Sequence, residues 1–182
     1  VRSFVQTVSF SFRALLVVTA LSSLAAQAAS VIDFGADGSD GADDTAAFQQ
    51  ALNVARGATK TVEVTVPAGR YYLSRPLSIY SNTAFLLAKD AVIVRVPTEN
   101  KTMLRGQHLD GSGNDCPCDA TCRHGGHSQL KNVTIQGGVW DAAADASSVC
   151  GAFMLSHGEN IVVRDLTCRR CTDHYMNFSG SA

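Results

Sequence analysis

The chain has 182 residues, 46% hydrophobic and 17% charged, which suits one globular domain or the first part of a larger one. Its formal net charge is −1 and no like-charged block runs along it, which excludes a chain built to wrap nucleic acid. Bulk charge leaves room for a local basic groove.

Arg2 and Arg13 precede the apolar run from Ala14 to Leu21, and Ala26-Gln27-Ala28 follows. A positive start, a short apolar core and small residues in A-x-A order predict a signal peptide over residues 1–28, cut after Ala28. The run falls short of the ~20 residues that span a bilayer, so no membrane association is expected after cleavage. The expected location is extracellular, or periplasmic in a Gram-negative host.

Residues 29–60 read as an N-terminal segment holding one short helix. A Gly/Asp-rich loop ends in Asp43-Asp44, either of which can cap a helix by accepting from free backbone N–H groups. Phe48, Ala51, Leu52 and Ala55 then form one apolar stripe, and Gly57 is a natural stop. So short a helix persists only against an apolar surface.

From Thr61 the period changes to two. Val62, Val64 and Val66 alternate with Glu63 and Thr65, Pro67-Ala68-Gly69 turns the chain, and Tyr71-Tyr72-Leu73 extends it again. Leu77 and Ile79, Ala84 to Leu87 and Ala91 to Val94 continue as short strands. An Asn precedes a β-rich run three times, at Asn82, Asn132 and Asn160. These lie 50 and then 28 positions apart, intervals that suit two coils and then one. Repeats in the twenties made only of strands and turns indicate a solenoid, with the Asn side chains bonding from coil to coil. An antiparallel sandwich is the alternative.

Export places the six cysteines in an oxidising compartment, where Cys116, Cys118, Cys122, Cys150, Cys168 and Cys171 read as disulfide candidates. If the later segments stack as strands ~4.8 Å apart, Cys150 reaches Cys168 or Cys171 in the next coil. Zinc held by Cys116, Cys118 and Cys122 with His124 and His127 is the rival. That spacing matches no common structural zinc pattern, and no metal is expected.

Asp33-Phe34-Gly35-Ala36, Asp43-Asp44-Thr45-Ala46-Ala47-Phe48 and Val64-Thr65-Val66-Pro67-Ala68-Gly69-Arg70-Tyr71 resemble the opening signature of the pectate-lyase superfamily, which includes polygalacturonases of glycoside hydrolase family 28. The resemblance covers roughly residues 31–95 and is specific for fold more than for reaction. It implies an all-β, right-handed parallel β-helix with an N-terminal capping α-helix. Residues 61–182 would be its first coils, incomplete at the C-terminus. Asp33, Gly35 and Asp44 are then structural. Val1 in place of Met, and an end without a cap, suit a piece of a longer protein.

The implied function is hydrolysis of glycosidic bonds in a pectin-type acidic polysaccharide, with a uronic-acid-containing polysaccharide as partner and no cofactor. A polysaccharide lyase or uronate epimerase on the same scaffold is the alternative enzyme, the lyase with a calcium ion. A non-catalytic carbohydrate-binding protein or adhesin is the rival outside catalysis. An inverting hydrolase needs two carboxylates ~6.5–9.5 Å apart, one to protonate the leaving oxygen and one to activate water. Cys171-Thr172-Asp173-His174 keeps only the T-D of the family's first catalytic motif, so Asp173 and His174 are the catalytic candidates. Arg169 and Arg170 are the candidates to bind a uronate carboxylate, as guanidinium groups do with two parallel hydrogen bonds. Trp140 and Asp141 end a strand, where an aromatic ring either stacks on sugar or fills a corner. By itself this stretch is expected to bind sugar weakly and turn nothing over.

Overall fold

A computed structural model describes residues 27–96, 102–107, 129–143 and 150–178. β1 (Gln27–Ser30) leads through a 3-10 turn at Val31–Phe34 to helix α1 (Thr45–Asn53). Twelve short strands follow: β2 (Val62–Val66), β3 (Gly69–Leu73), β4 (Leu77–Ile79), β5 (Thr83–Leu87), β6 (Ala91–Arg95), β7 (Thr102–Gly106), β8 (Leu130–Gln136), β9 (Val139–Asp141), β10 (Gly151–Met154), β11 (Gly158–Arg164), β12 (Thr167–Arg169) and β13 (Met176–Asn177).

From β2 on each strand pairs with the one three places later, β1 pairs with β2, and every pairing is parallel. The result is three sheets, β1-β2-β5-β8-β11, β3-β6-β9-β12 and β4-β7-β10-β13, wound as four stacked coils. This is a parallel β-helix, as the period-two segments and the Asn repeats predict.

The register puts like beside like. In the first sheet Ala29, Val64, Phe85, Ile135 and Val163 form one column. Tyr71, Ile93, Trp140 and Cys168 form a second, and Leu77, Leu104, Phe153 and Met176 a third. Inside, the rings of Phe48, Phe85, Trp140 and Phe153 run edge-to-face down the axis at centroid separations of 6.4, 6.1 and 4.7 Å. Trp140 is wholly buried, so it fills the core and is not a sugar platform.

At the corners the side chain of Asn160 donates to Asn132, and that of Asn132 to Asn82, each at 2.9 Å, while Asn82 donates to the carbonyl of Ala58 at 2.7 Å. All three sit at φ between 55° and 59°, a left-handed conformation that Asn tolerates better than other side chains. The ladder corrects one reading of the repeat. The 50-residue interval from Asn82 to Asn132 is a single coil, because β5 pairs directly with β8. The extra length falls between the end of β7 at Gly106 and the start of β8 at Leu130. Sequence spacing counts those residues toward the period, whereas the ladder does not. Just past β8, Gly137 takes φ +86°, and a Cβ there would stand 2.1 Å from the carbonyl oxygen of Leu87 in the preceding coil. Only glycine lets the coils close there.

The start of the spiral leaves three sheet edges to satisfy, and each is covered differently. β1 pairs with β2 along the first sheet. On the second, the amide of Asp44 donates to the carbonyl of Tyr72 and the Asp44 carboxylate accepts from the amide of Tyr72. On the third, the Gln49 side chain accepts from the amide of Ser78 at 2.8 Å and donates to its carbonyl at 3.1 Å, imitating a neighbouring strand. Exposed edges invite pairing with other chains, and this lid removes all three. Helix capping itself falls to Asp43, whose carboxylate accepts from the amide and hydroxyl of Thr45. Asp44 holds the N-cap position without a side-chain cap bond, because its oxygens are taken by Asp37 and Tyr72.

β1 begins two residues before the expected cleavage point; cutting after Ala28 leaves Ala29 and Ser30 in register with Val64 and Thr65. No helix among the described residues is long and apolar enough to cross a membrane.

Candidate functional site

Asp173 and His174 follow β12 and lead into β13, on the outer side of the third sheet. The backbone amide of Asp173 donates to the carbonyl of Cys150 at 3.2 Å, which ties this turn to the coil before it. The Asp173 carboxylate and His174 Nδ1 lie 2.7 Å apart, and His174 is largely exposed. Both border a cleft of about 140 Å³ with Thr102, Gly151, Phe153, Met154 and Asn177. The two catalytic candidates therefore share an opening with Gly151, Phe153 and Met154 of β10. A carboxylate paired with an imidazole can exchange a proton with a hydroxyl or a bridging oxygen. Among the described residues Asp173 is the one carboxylate lining this cleft.

Arg169 and Arg170 do not line it. Their partner is the chain's own Asp141 at the end of β9. Asp141 is buried and accepts from Arg169 Nε at 2.9 Å and from Arg170 Nε and Nη2 at 2.5 and 2.7 Å. Burial works against the charge on Asp141, but these arginines and the Ala143 amide outweigh it and hold the carboxyl below its usual range. A guanidinium already matched to a carboxylate is poorly placed to take a second one, and this pair of contacts instead locks coil four to coil three. The sequence puts the two arginines beside the catalytic candidates; the fold turns them onto a different sheet.

Cys150, Cys168 and Cys171, expected as disulfide partners, are free thiols in this structure. Burial pushes Cys168 up to about 11 and Cys171 up to about 12, and it raises Cys150 as well. Cys168 pairs with Trp140 in its column, the Cys150 thiol donates to the carbonyl of Gly151, and Cys171 lies near enough to both for their charges to raise it further. Cys116, Cys118, Cys122, His124 and His127 lie outside the described residues. Among the described residues no three His, Cys, Asp or Glu side chains gather to hold a metal ion.

A second opening was not foreseen from the sequence. A groove of about 600 Å³ lies between α1 and the strands β4 and β7, and Arg56, Arg75 and Arg105 reach into it from three separate segments. Gln49, which follows the Asp43–Phe48 motif, ties the helix to β4 along one side of it.

The coil geometry is matched by a likeness in sequence. Residues 28–88 match a family model described as rhamnogalacturonase A/epimerase, pectate lyase-like. The chain is a right-handed parallel β-helix whose opening coils are similar to the pectate-lyase-like family. Among solved structures this β-helix is similar to the iota-carrageenase of family GH82 from A. fortis, at 19% identity and a TM-score of 0.60, covering 78% of this chain and 28% of that one. It is similar to ORF18 of Geobacillus virus E2 at 23% identity and a TM-score of 0.59, covering 82% and 27%. A surface adhesin of Streptococcus pneumoniae, PfbA, matches at 19% identity and a TM-score of 0.58, covering 86% and 40%. The β-helix described here thus spans less than half the length of each. No curated protein sequence matches.

Proposed function

We propose that this chain is part of a secreted polysaccharide-degrading enzyme that hydrolyses glycosidic bonds in an acidic, pectin-type polysaccharide, and that these coils supply substrate binding and one catalytic carboxylate. The observation that carries the reading is the Asp173–His174 pair, 2.7 Å apart over a cleft on the side of the spiral. The fold supports it, since a structure of the same architecture is an iota-carrageenase. Asp173 would act as general acid or base, with His174 beside it; a second carboxylate must come from elsewhere. Non-catalytic binding is the second reading, favoured by Asp173 being the one carboxylate in the cleft among the described residues and by the likeness to an adhesin. Secretion also belongs to this proposal. It would expose Cys150, Cys168 and Cys171 to an oxidant, and the cross-coil disulfide from Cys150 to Cys168 or Cys171 is part of the same reading.

The test is incubation of the 182-residue chain with polygalacturonate and with alginate, following both retention of the polymer and release of reducing ends. Weak retention without product is expected, and Asp173→Asn with His174→Ala should weaken it about threefold or more, the size of one or two exposed polar contacts. Steady product release would show that a full catalytic pair is already present. Failure to retain any acidic polysaccharide would overturn the reading.

A further inference from the structure

The chain has four tyrosines, and three of them are covered. Tyr71 and Tyr80 are buried, and Tyr72 lies under the Arg70 guanidinium, 5.5 Å from its ring centroid. Tyr175 is the exposed one, at 47%. It follows His174 directly and leads into β13, so it belongs to the stretch that carries the catalytic candidates. Its carbonyl accepts from the amide of Phe153 at 3.0 Å, so the pairing with β10 already holds there. Alternation then decides which way it faces. Met176 stands in the inner column beside Phe153, whereas Met154 and Asn177 are neighbours on the other face. Tyr175, two residues before Asn177, shares that outer face. The backbone beneath it is pinned on both sides. The Asp173 amide donates to the Cys150 carbonyl at 3.2 Å, and the Leu155 amide donates to the Asn177 carbonyl at 2.9 Å. The ring is thus held at a set place, roughly 7 Å along the chain from Asp173 on one side and Asn177 on the other. Met154, which lines the cleft, is also exposed. An aromatic ring and a thioether left open beside one cleft form an apolar surface suited to a ligand.

We infer that Tyr175 is the platform on which a sugar ring stacks beside Asp173. A pyranose carries its hydroxyls around the rim and C–H groups on its faces. Laying such a face on the phenol ring buries apolar surface while the hydroxyls stay free to hydrogen-bond. Met154, unbranched and polarisable, can follow the uneven edge of the sugar. The Asn177 amide and the Thr102 hydroxyl, both lining the cleft, can serve the rim hydroxyls. A ring fixed on Tyr175 would hold the oxygen that links it to the next unit against the Asp173 carboxylate. The inference rests on the polysaccharide reading of the cleft and adds what that reading lacks, a group that recognises the ring and not its charge. Neutral and acidic glycans should therefore depend on Tyr175 to the same degree.

NMR titration of the whole chain with trigalacturonate and with a neutral galactan trisaccharide tests it. The Tyr175 ring signals, identified by their change in Tyr175→Phe, should shift as either sugar is added. Tyr175→Ala should weaken both sugars by the same factor, about fivefold or more. That factor should survive about 0.5 M sodium chloride, which screens charge and leaves stacking in place. Tyr175→Phe keeps the ring and should bind within about twofold of the wild-type chain. Ile32→Ala removes an apolar side chain of similar exposure, 45%, from the turn before α1, and it should change nothing. Circular dichroism checks the fold of each variant, and Tyr175→Leu stands in if the alanine variant unfolds. Unchanged binding in Tyr175→Ala, an equal loss in Ile32→Ala, or as large a loss in Tyr175→Phe as in Tyr175→Ala would each overturn the platform. Retention of trigalacturonate with no dependence on Tyr175 would leave the proposed function standing and remove the platform. Binding of the neutral sugar alone, lost in Tyr175→Ala, would keep the platform and remove the acidic substrate.

Discussion

Phe48→Ala is the substitution that tests whether the helix seals the spiral. Phe48 has no exposed surface, and its ring meets Tyr71 at 5.2 Å and Phe85 at 6.4 Å, both edge-on. Truncating a buried phenylalanine costs about 3–5 kcal/mol, part from lost transfer and part from the cavity left behind. Collapse could shrink that cavity only if α1 slid inward, and the Gln49 and Asp44 hydrogen bonds pin it to β4 and β3. The expected loss is therefore about 3–4 kcal/mol, near a third of the stability of an ordinary domain. With a urea slope of ~2 kcal/mol/M, the midpoint should fall by about 1.5–2 M. Phe48→Leu, which keeps most of the volume, should cost under about 1.5 kcal/mol. Urea titrations followed by circular dichroism read both. A loss below about 1 kcal/mol for the alanine variant would mean that the helix lies on the coils without closing them.

Asn132 stands mid-ladder, accepting from Asn160 and donating to Asn82, so Asn132→Ala should destabilise by about 2 kcal/mol and Asn132→Gly by about 1 kcal/mol less. Equal losses in thermal melts would show that φ near 55° carries no cost there. Asp141 has a folded pKa below its unfolded one, so its contribution is complete above the unfolded value near ~4 and is lost as pH falls through the folded value. Melting temperatures of the wild-type chain and of Asp141→Asn should differ at neutral pH and converge in acid. A constant gap down to about pH 2 would refute the arginine assignment.

Much of the fold was legible in the chain because a solenoid is written locally. Val62, Val64 and Val66 alternate, Phe48, Ala51, Leu52 and Ala55 repeat at helical spacing, and each Asn marks a corner, all within windows shorter than one coil. Sequence alone therefore determined the strands, the lid and the spiral, since each repeat must bury the same face against its neighbour. What it could not determine was anything that depends on which coil lies above which. The interval from Asn82 to Asn132 counted as two coils until β5 was found beside β8. Arg169 and Arg170 stood next to Asp173 in sequence, yet successive strands turn onto different sheets, and the arginines went to Asp141 instead. Conversely, Arg56, Arg75 and Arg105 are scattered along the chain and share one groove only because α1 folds back over β4 while β7 stacks beneath it. Periodicity reports which way a residue faces, but side chains distant in sequence meet only through the stacking of coils, and that stacking is decided in three dimensions.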